Sequence, residues 1–72
     1  MKVPELIPVK SSRIQALNHK DGALFVRFIG GALWKYDGVS HETFLEGLAA
    51  ESIGKWFRAN VTGKHLHRKL DA

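Results

Sequence analysis

The sequence predicts an α+β domain in which a three-stranded antiparallel β-meander is followed by two short helices packed on one face (β-β-β-α-α). Three observations predict this class. Apolar and aromatic residues cluster in strand-length runs in the first half of the chain, and Asp-Gly and Gly-Gly pairs separate those runs at hairpin spacing. After residue 40 the apolar residues recur three and four apart, which is helical spacing. The helices are short, so we expect them to draw stability from packing on the sheet.

The three predicted strands cover residues 11–17, 23–29 and 32–36. The second is rich in aromatic and β-branched residues and is apolar on both faces, which favours a central position in the sheet. Residues 18–22, which end in Asp-Gly, are predicted to form the first turn. The pair Gly30-Gly31 is typical of the second.

The predicted helices cover residues 41–50 and 53–61, and each follows a serine. Ser40 and Ser52 are candidate N-caps, because a serine hydroxyl accepts a hydrogen bond from an N–H group of the first helical turn. Gly63 suits the end of the second helix. Leu66 and Leu70 lie four apart and are compatible with a further short helical turn. The expected core comprises Val26, Phe28, Phe44, Leu48, Trp56 and Phe57.

The 72 residues form one small domain, with an extended lead-in over residues 1–8, a folded unit over 9–66 and a basic tail over 67–72. A chain of this size buries only about 60% of the surface that its unfolded form exposes, and it has no room for a cleft between domains. With no cysteine, disulfides and thiolate metal sites are excluded. No long apolar run begins the chain, so we expect no signal peptide, no membrane span and a cytoplasmic location.

The positive charge is concentrated at the end of the chain. Residues 1–51 hold six basic and six acidic residues, so the whole formal charge of +4 arises from residues 52–72, where Asp71 is the one acid. A basic segment indicates an acidic partner such as nucleic acid, and an ordinary solvated surface is the alternative interpretation. The basic residues are Lys55, Arg58, Lys64, Arg68 and Lys69.

Trp34 and Tyr36 are the most informative pair of aromatic residues. They lie two apart on the third predicted strand and therefore share one face of the sheet. Such a pair forms either a wall of the core or a platform on which a nucleic-acid base stacks. In a domain this small we favour the core role and keep base stacking as the alternative.

No spacing in the sequence is typical of catalysis or metal binding. His65 and His67 would point apart on a helix, and no carboxylate or thiolate is placed to complete a metal site. His19 and His41 are interpreted as solvated. There is no nucleophile elbow, phosphate loop or catalytic triad spacing, so we expect no enzymatic activity, no cofactor and no metal.

The ordered motifs resemble those of the KTSC domain family, a small module named after the C-terminal extension of some lysyl-tRNA synthetases and also found as a stand-alone protein in bacteria and phages. The matching segments are residues 9–14, the Leu-Phe-Val-Arg-Phe strand, Trp34-Lys35-Tyr36 followed by Asp-Gly-Val, and Ser-Ile-Gly-Lys-Trp-Phe at 52–57. Trp34 replaces the first tyrosine of the family's usual Tyr-x-Tyr, and Ser40 stands where proline is frequent. The resemblance implies no established activity, although RNA binding has been suggested for the family.

Two functions of different classes stay open. In the first, the chain binds nucleic acid, with RNA favoured over DNA. The basic residues would hold phosphates, and any exposed ring of Trp34, Tyr36 or Trp56 would stack on a base.

In the second, the chain is a protein-interaction module, such as a phage-encoded modulator of a host protein. It would use the sheet face on which Phe25 and Ile29 could be left uncovered. The burial of Phe25 and the convergence of Lys55, Arg58 and Arg68 distinguish the two hypotheses.

Overall fold

The computed structural model describes residues 3–70, which form one antiparallel sheet and two helices. Neighbouring strands in the sheet are also neighbours in sequence, in the order β1-β2-β3-β4-β5. The α+β class, the central meander and both helices are therefore confirmed. The elements are β1 Ile7–Pro8, β2 Ile14–Lys20, β3 Ala23–Phe28, β4 Leu33–Asp37, α1 His41–Ala49, α2 Ile53–Asn60 and β5 His67–Leu70.

The prediction of three strands is wrong, because a strand is added at each edge of the meander. β1 pairs with β2 through Ile7 opposite Leu17 and Pro8 opposite Ala16. Residues 67–70, expected to belong to a basic tail with a helical turn, are extended and pair with β4 as β5. The last two residues of that predicted tail lie outside the described residues.

The first hairpin closes on the two-residue turn Asp21-Gly22, which is shorter than the turn predicted over 18–22. β2 continues to Lys20, which pairs with Ala23. Asp21 has a φ of 53° and Gly22 a φ of 77°, the left-handed conformation of both central residues in a type I′ turn. This turn type matches the twist of the strands and sets the register of β2 on β3.

A bulge in β2 decides which residues of that strand face the helices. Ile14 pairs with Phe28, whereas Ala16 pairs with Arg27, so the register shifts by one residue between them. A regular strand places residues three apart on opposite faces. The bulge allows both Ile14 and Leu17 to join the core, where they are 1% and 0% exposed.

Both predicted N-caps are confirmed. The backbone N–H of Thr43 donates to Ser40 Oγ at 3.1 Å, and that of Lys55 donates to Ser52 Oγ at 3.3 Å. Serine at these positions satisfies one N–H that the first turn leaves unpaired. The cap at Ser52 thereby sets the residue at which α2 begins.

The core lies between the sheet and the helices. Phe57 stands near its centre, edge-on to Phe28 at 5.6 Å and to Tyr36 at 5.1 Å between ring centroids. Phe28 and Leu48, which were expected to be buried, are partly buried and pack at its margin. The buried members are Ile14, Leu17, Leu24, Val26, Tyr36, Val39, Phe44, Ile53, Trp56, Phe57 and Val61.

The sheet face away from the helices differs from the prediction at Phe25. Its side chain is buried, 2% exposed, between the cross-strand neighbours Asn18 and Lys35, whereas Ile29 is 57% exposed. The apolar patch proposed for this face therefore reduces to Ile29.

Candidate functional site

Two adjacent cavities open between the chain that leads into β2 and the first turns of α2. The first has a volume of about 260 Å³ and the second about 250 Å³. Arg13, Gly54 and Arg58 line both, so the two cavities are neighbours, and we call the pair the α2 groove. The residues that line only the first are Ile14, Phe28, Tyr36, Phe57 and Thr62, and those that line only the second are Ser12, Ser52 and Lys55.

Local structure places the basic side chains at this groove. Lys55 and Arg58 are three residues apart on α2 and therefore share one of its faces, as the sequence predicted. Arg13 comes from the turn before β2, where Ser11 Oγ accepts hydrogen bonds from the N–H groups of Arg13 at 3.2 Å and Ile14 at 3.3 Å.

The three cations of the groove have no neutralising contact within the described chain. Over residues 3–70, the side chains of Arg13, Lys55 and Arg58 form no ion pair and no hydrogen bond, and all three are exposed. By contrast, Arg27 donates to the carbonyl of Gly31 at 2.8 Å, and Lys35 forms a 3.3 Å ion pair with Asp37. The positive potential at the groove is therefore available to an external anion.

An aromatic wall closes one side of the first cavity. It consists of Phe28, Tyr36 and Phe57, held by the edge-to-face contacts described above. Burial raises the pKa of the Tyr36 phenol above its usual value, so the phenol is neutral at physiological pH. The wall therefore offers uncharged ring surface directly beside the two arginines.

Gly54 leaves the groove open at the junction of the two cavities. A Cβ atom built at this position would meet only Ser11 Oγ, at an ordinary contact distance of 3.8 Å. The space beside Gly54 is therefore open, and no neighbouring atom requires a glycine at this position. Sequence analysis gave no functional role to Gly54 or Arg13, although both lie in segments that resemble the family's motifs, and it counted Arg13 in the neutral stretch 1–51. The position of Gly54 between the cap Ser52 and the cation Lys55 is the signal that could have identified it.

The basic residues predicted as a single set do not form a single surface. Lys55 and Arg58 meet at the groove, and Lys64 lies in the exposed turn that follows α2. On β5, Lys69 pairs with Trp34 on the helix side, whereas Arg68 pairs with Lys35 on the opposite face. The convergence expected of Arg68 with the α2 cations is therefore not observed.

The two residues of the aromatic motif have different surroundings. Tyr36 is 8% exposed and belongs to the core, while one part of it lines the first cavity. Trp34 is half-buried at the core margin, beside the ring of His67 at 5.5 Å, and lines neither cavity. Trp56, the third candidate for stacking, is buried at 7% exposure.

His19 is not solvated as predicted. It lies on β2, half-buried, with its ring stacked on Phe44 at 5.6 Å between centroids. Its Nε2 lies 2.6 Å from the carbonyl oxygen of Val39, and its Nδ1 faces Nδ1 of His41 at 3.5 Å. In residues 3–70 no three potential metal ligands are grouped, and no helix there has the length and apolar character that crossing a membrane requires.

Comparison with known proteins identifies the family. The family model of the KTSC domain matches residues 10–65. The crystal structure of a KTSC domain protein from Yersinia pestis is similar, with a TM-score of 0.86 and 31% sequence identity over 93% of this chain and 97% of that one. No curated protein matches the chain. The matched segment includes β2 to α2, which supply the three central strands, the core and the groove. The chain therefore belongs to the KTSC domain family.

Proposed function

We propose that this chain is a non-catalytic module that binds single-stranded nucleic acid through the α2 groove. One observation supports the proposal above all others. Arg13, which precedes β2, meets Lys55 and Arg58 of α2 at one groove, and all three lack internal partners within residues 3–70. RNA is favoured over DNA because the family takes its name from an extension of lysyl-tRNA synthetases.

The mechanism is neutralisation of phosphates by these side chains. Each phosphate contact releases condensed counterions, so affinity falls as the salt concentration rises. For a single strand, three contacts correspond to a slope of about −2 in a plot of log affinity against log salt concentration. Contacts to phosphate carry no sequence information, so the cations set affinity and orientation but not base preference.

The protein-interaction alternative is now supported by no specific observation. It depended on an uncovered Phe25, and that side chain is buried. Of the two residues on which it depended, Ile29 alone is exposed, and one isolated apolar residue is an ordinary feature of a protein surface.

A matched pair of triple variants tests the proposal. R13Q/K55Q/R58Q removes the three groove cations, and K20Q/R68Q/K69Q removes the same formal charge from residues that line neither cavity. Binding of fluorescently labelled single-stranded RNA and DNA is measured by anisotropy at several salt concentrations.

We expect the groove variant to lose most of its affinity and most of its salt dependence. The control variant should bind only slightly more weakly, because it loses long-range attraction alone. Equal losses in the two variants would assign binding to net charge and contradict a defined groove. No binding by the unmodified protein at low salt would contradict the function itself.

A further inference from the structure

We propose that the α2 groove holds one unstacked nucleotide unit, with its base in the first cavity and its phosphate in the second. This inference rests on the proposed function and specifies the ligand of the same site. It is based on a difference between the residues that line only the first cavity and those that line only the second.

The residues that line only the first cavity are mainly apolar and aromatic. Phe28, Tyr36 and Phe57 form the wall, and Ile14 and Thr62 complete the part that the second cavity does not share. Planar rings bind to such surfaces by stacking or edge-to-face contact. Thr62 supplies the one neutral hydrogen-bonding side chain of this lining besides the Tyr36 phenol, so the cavity has few groups with which to distinguish one base from another.

The second cavity has the chemistry of an anion site. The residues that only it contains are Ser12, Ser52 and Lys55, two hydroxyl groups and an ammonium group. These are donors that phosphate oxygens accept. A phosphate in this cavity would be held by charge and hydrogen bonds, and no acidic side chain lines either cavity.

The two arginines that line both cavities would lie between the base and the phosphate of the bound nucleotide. A guanidinium group stacks on a planar ring and also binds phosphate in a bidentate manner, which a lysine does not do. Arg13 and Arg58 line both cavities and are free of internal partners in the described residues. Gly54 leaves room between the cavities for the sugar that joins the two parts of the ligand.

The volumes favour a single nucleotide unit over a larger structure. The ligand would occupy both cavities, at about 260 and 250 Å³, and together these lie in the lower half of the roughly 300–1,000 Å³ typical of sites for drug-sized ligands. A base paired in a duplex has its faces covered by stacking and is not available to the aromatic wall. The unit is therefore either part of a single strand or a free nucleotide, and the test separates these sources.

The test compares a short single-stranded RNA with a fully abasic strand of the same length and charge. Loss of one stacked base corresponds to a reduction in affinity of about 5- to 150-fold, and we expect a ratio in this range. A nucleoside monophosphate is added as a competitor. Competition at the affinity of the oligonucleotide would support the site and assign it to free nucleotides, whereas much weaker competition supports the single strand.

Two variants separate the roles of the cavities. Thr62→Met places a longer side chain in the first cavity alone, so the RNA-to-abasic ratio should fall towards one while the affinity for the abasic strand is kept. Lys55→Gln acts in the second cavity and should weaken binding of both strands by the same factor.

Three results would overturn the inference without contradicting the proposed function. They are equal affinity for the two strands, an RNA-to-abasic affinity ratio that is unchanged in Thr62→Met, or a ratio that is abolished by Lys55→Gln. The Thr62→Met variant should fold, because Thr62 is exposed. Gly54→Leu, which fills the space between the two cavities, gives an independent second variant. Failure of every strand to bind would instead contradict the proposed function.

Discussion

The indole ring of Trp56 lies directly against Gly47. A Cβ atom built on Gly47 would come within 2.6 Å of three carbon atoms of that ring. Trp56 is 7% exposed and packs in the core, so it cannot move away without disturbing its neighbours. The close approach of α1 to α2 thus depends on the absence of a side chain at Gly47.

Gly47→Ala should lower the free energy of unfolding by about 1–3 kcal/mol, the usual cost of forcing an extra methyl group into a packed interior. Alanine is the better helix former, so helix propensity alone predicts the opposite sign. Urea unfolding monitored by circular dichroism measures the change. A variant as stable as the parent would show that the ring does not pack on Gly47.

Gly54→Ala is the matched control for that experiment, because its new Cβ has only a 3.8 Å contact with Ser11 Oγ. We expect the free energy of unfolding to stay the same or to rise by up to about 1 kcal/mol. A large loss of stability in this variant would contradict the open space described at the groove.

Phe57→Ala should lower the free energy of unfolding by about 3–5 kcal/mol, because it removes a buried ring that contacts both Phe28 and Tyr36. That is a large part of the stability of a small domain. The control is Leu45→Ala, at a side chain that is 48% exposed, which should change stability by only about 0.5 kcal/mol. Similar losses of unfolding free energy in the two variants would contradict the placement of Phe57 near the centre of the core.

Trp34→Ala should lower the free energy of unfolding by about 2 kcal/mol, less than the loss expected for a fully buried tryptophan, because Trp34 is only half-buried. Its affinity for single-stranded RNA should match that of the parent, since Trp34 lines neither cavity. Chemical denaturation and the anisotropy titration measure the two quantities. A folded variant that no longer binds would instead favour base stacking on Trp34.

The stability of the domain should decrease at alkaline pH through Tyr36. Burial raises the pKa of its phenol in the folded state, so the folded protein retains this proton at pH values where the unfolded chain has lost it. The contribution is fully present below the unfolded pKa of about 10 and is lost as the pH rises through the folded pKa.

Because Tyr36 is the single tyrosine of the chain, ultraviolet absorbance of tyrosinate reports its titration directly. In Tyr36→Phe this part of the alkaline decrease should disappear, while the part due to lysines stays. A folded-state pKa equal to that of the unfolded chain would contradict the burial of the phenol.

The central part of the fold was predictable because its signals are local. The turn at Asp21-Gly22 and the caps at Ser40 and Ser52 act within a few residues, and α1 and α2 were placed within one residue at each end. The edge strands carry no such signal. β5 consists of His67, Arg68, Lys69 and Leu70, so it has no alternation of apolar and polar residues. It is recognisable as a strand only by its pairing with β4.

The candidate site was predictable to the extent that it lies on one helix. Lys55 and Arg58 share a face by their spacing alone. Arg13 joins them through the tertiary fold, because β2, β3, β4 and α1 separate it from Lys55 and Arg58 in sequence. No local sequence pattern indicates that contact. Arg68 was placed with them by composition, but the alternation of β5 points it to the other face of the sheet.

The composition of β5 has a consequence for self-association. An edge strand exposes unpaired backbone groups that can template pairing with another chain, and short length, proline and charge at the edge oppose this. At one edge of the sheet, β1 has only two residues and one of them is Pro8. At the other edge, β5 has four residues, and its consecutive residues Arg68 and Lys69 place one positive charge on each face, so a second copy approaching edge to edge would meet like charges. The basic residues of β5, which gave no strand signal in the sequence, therefore disfavour pairing of this edge with a second copy.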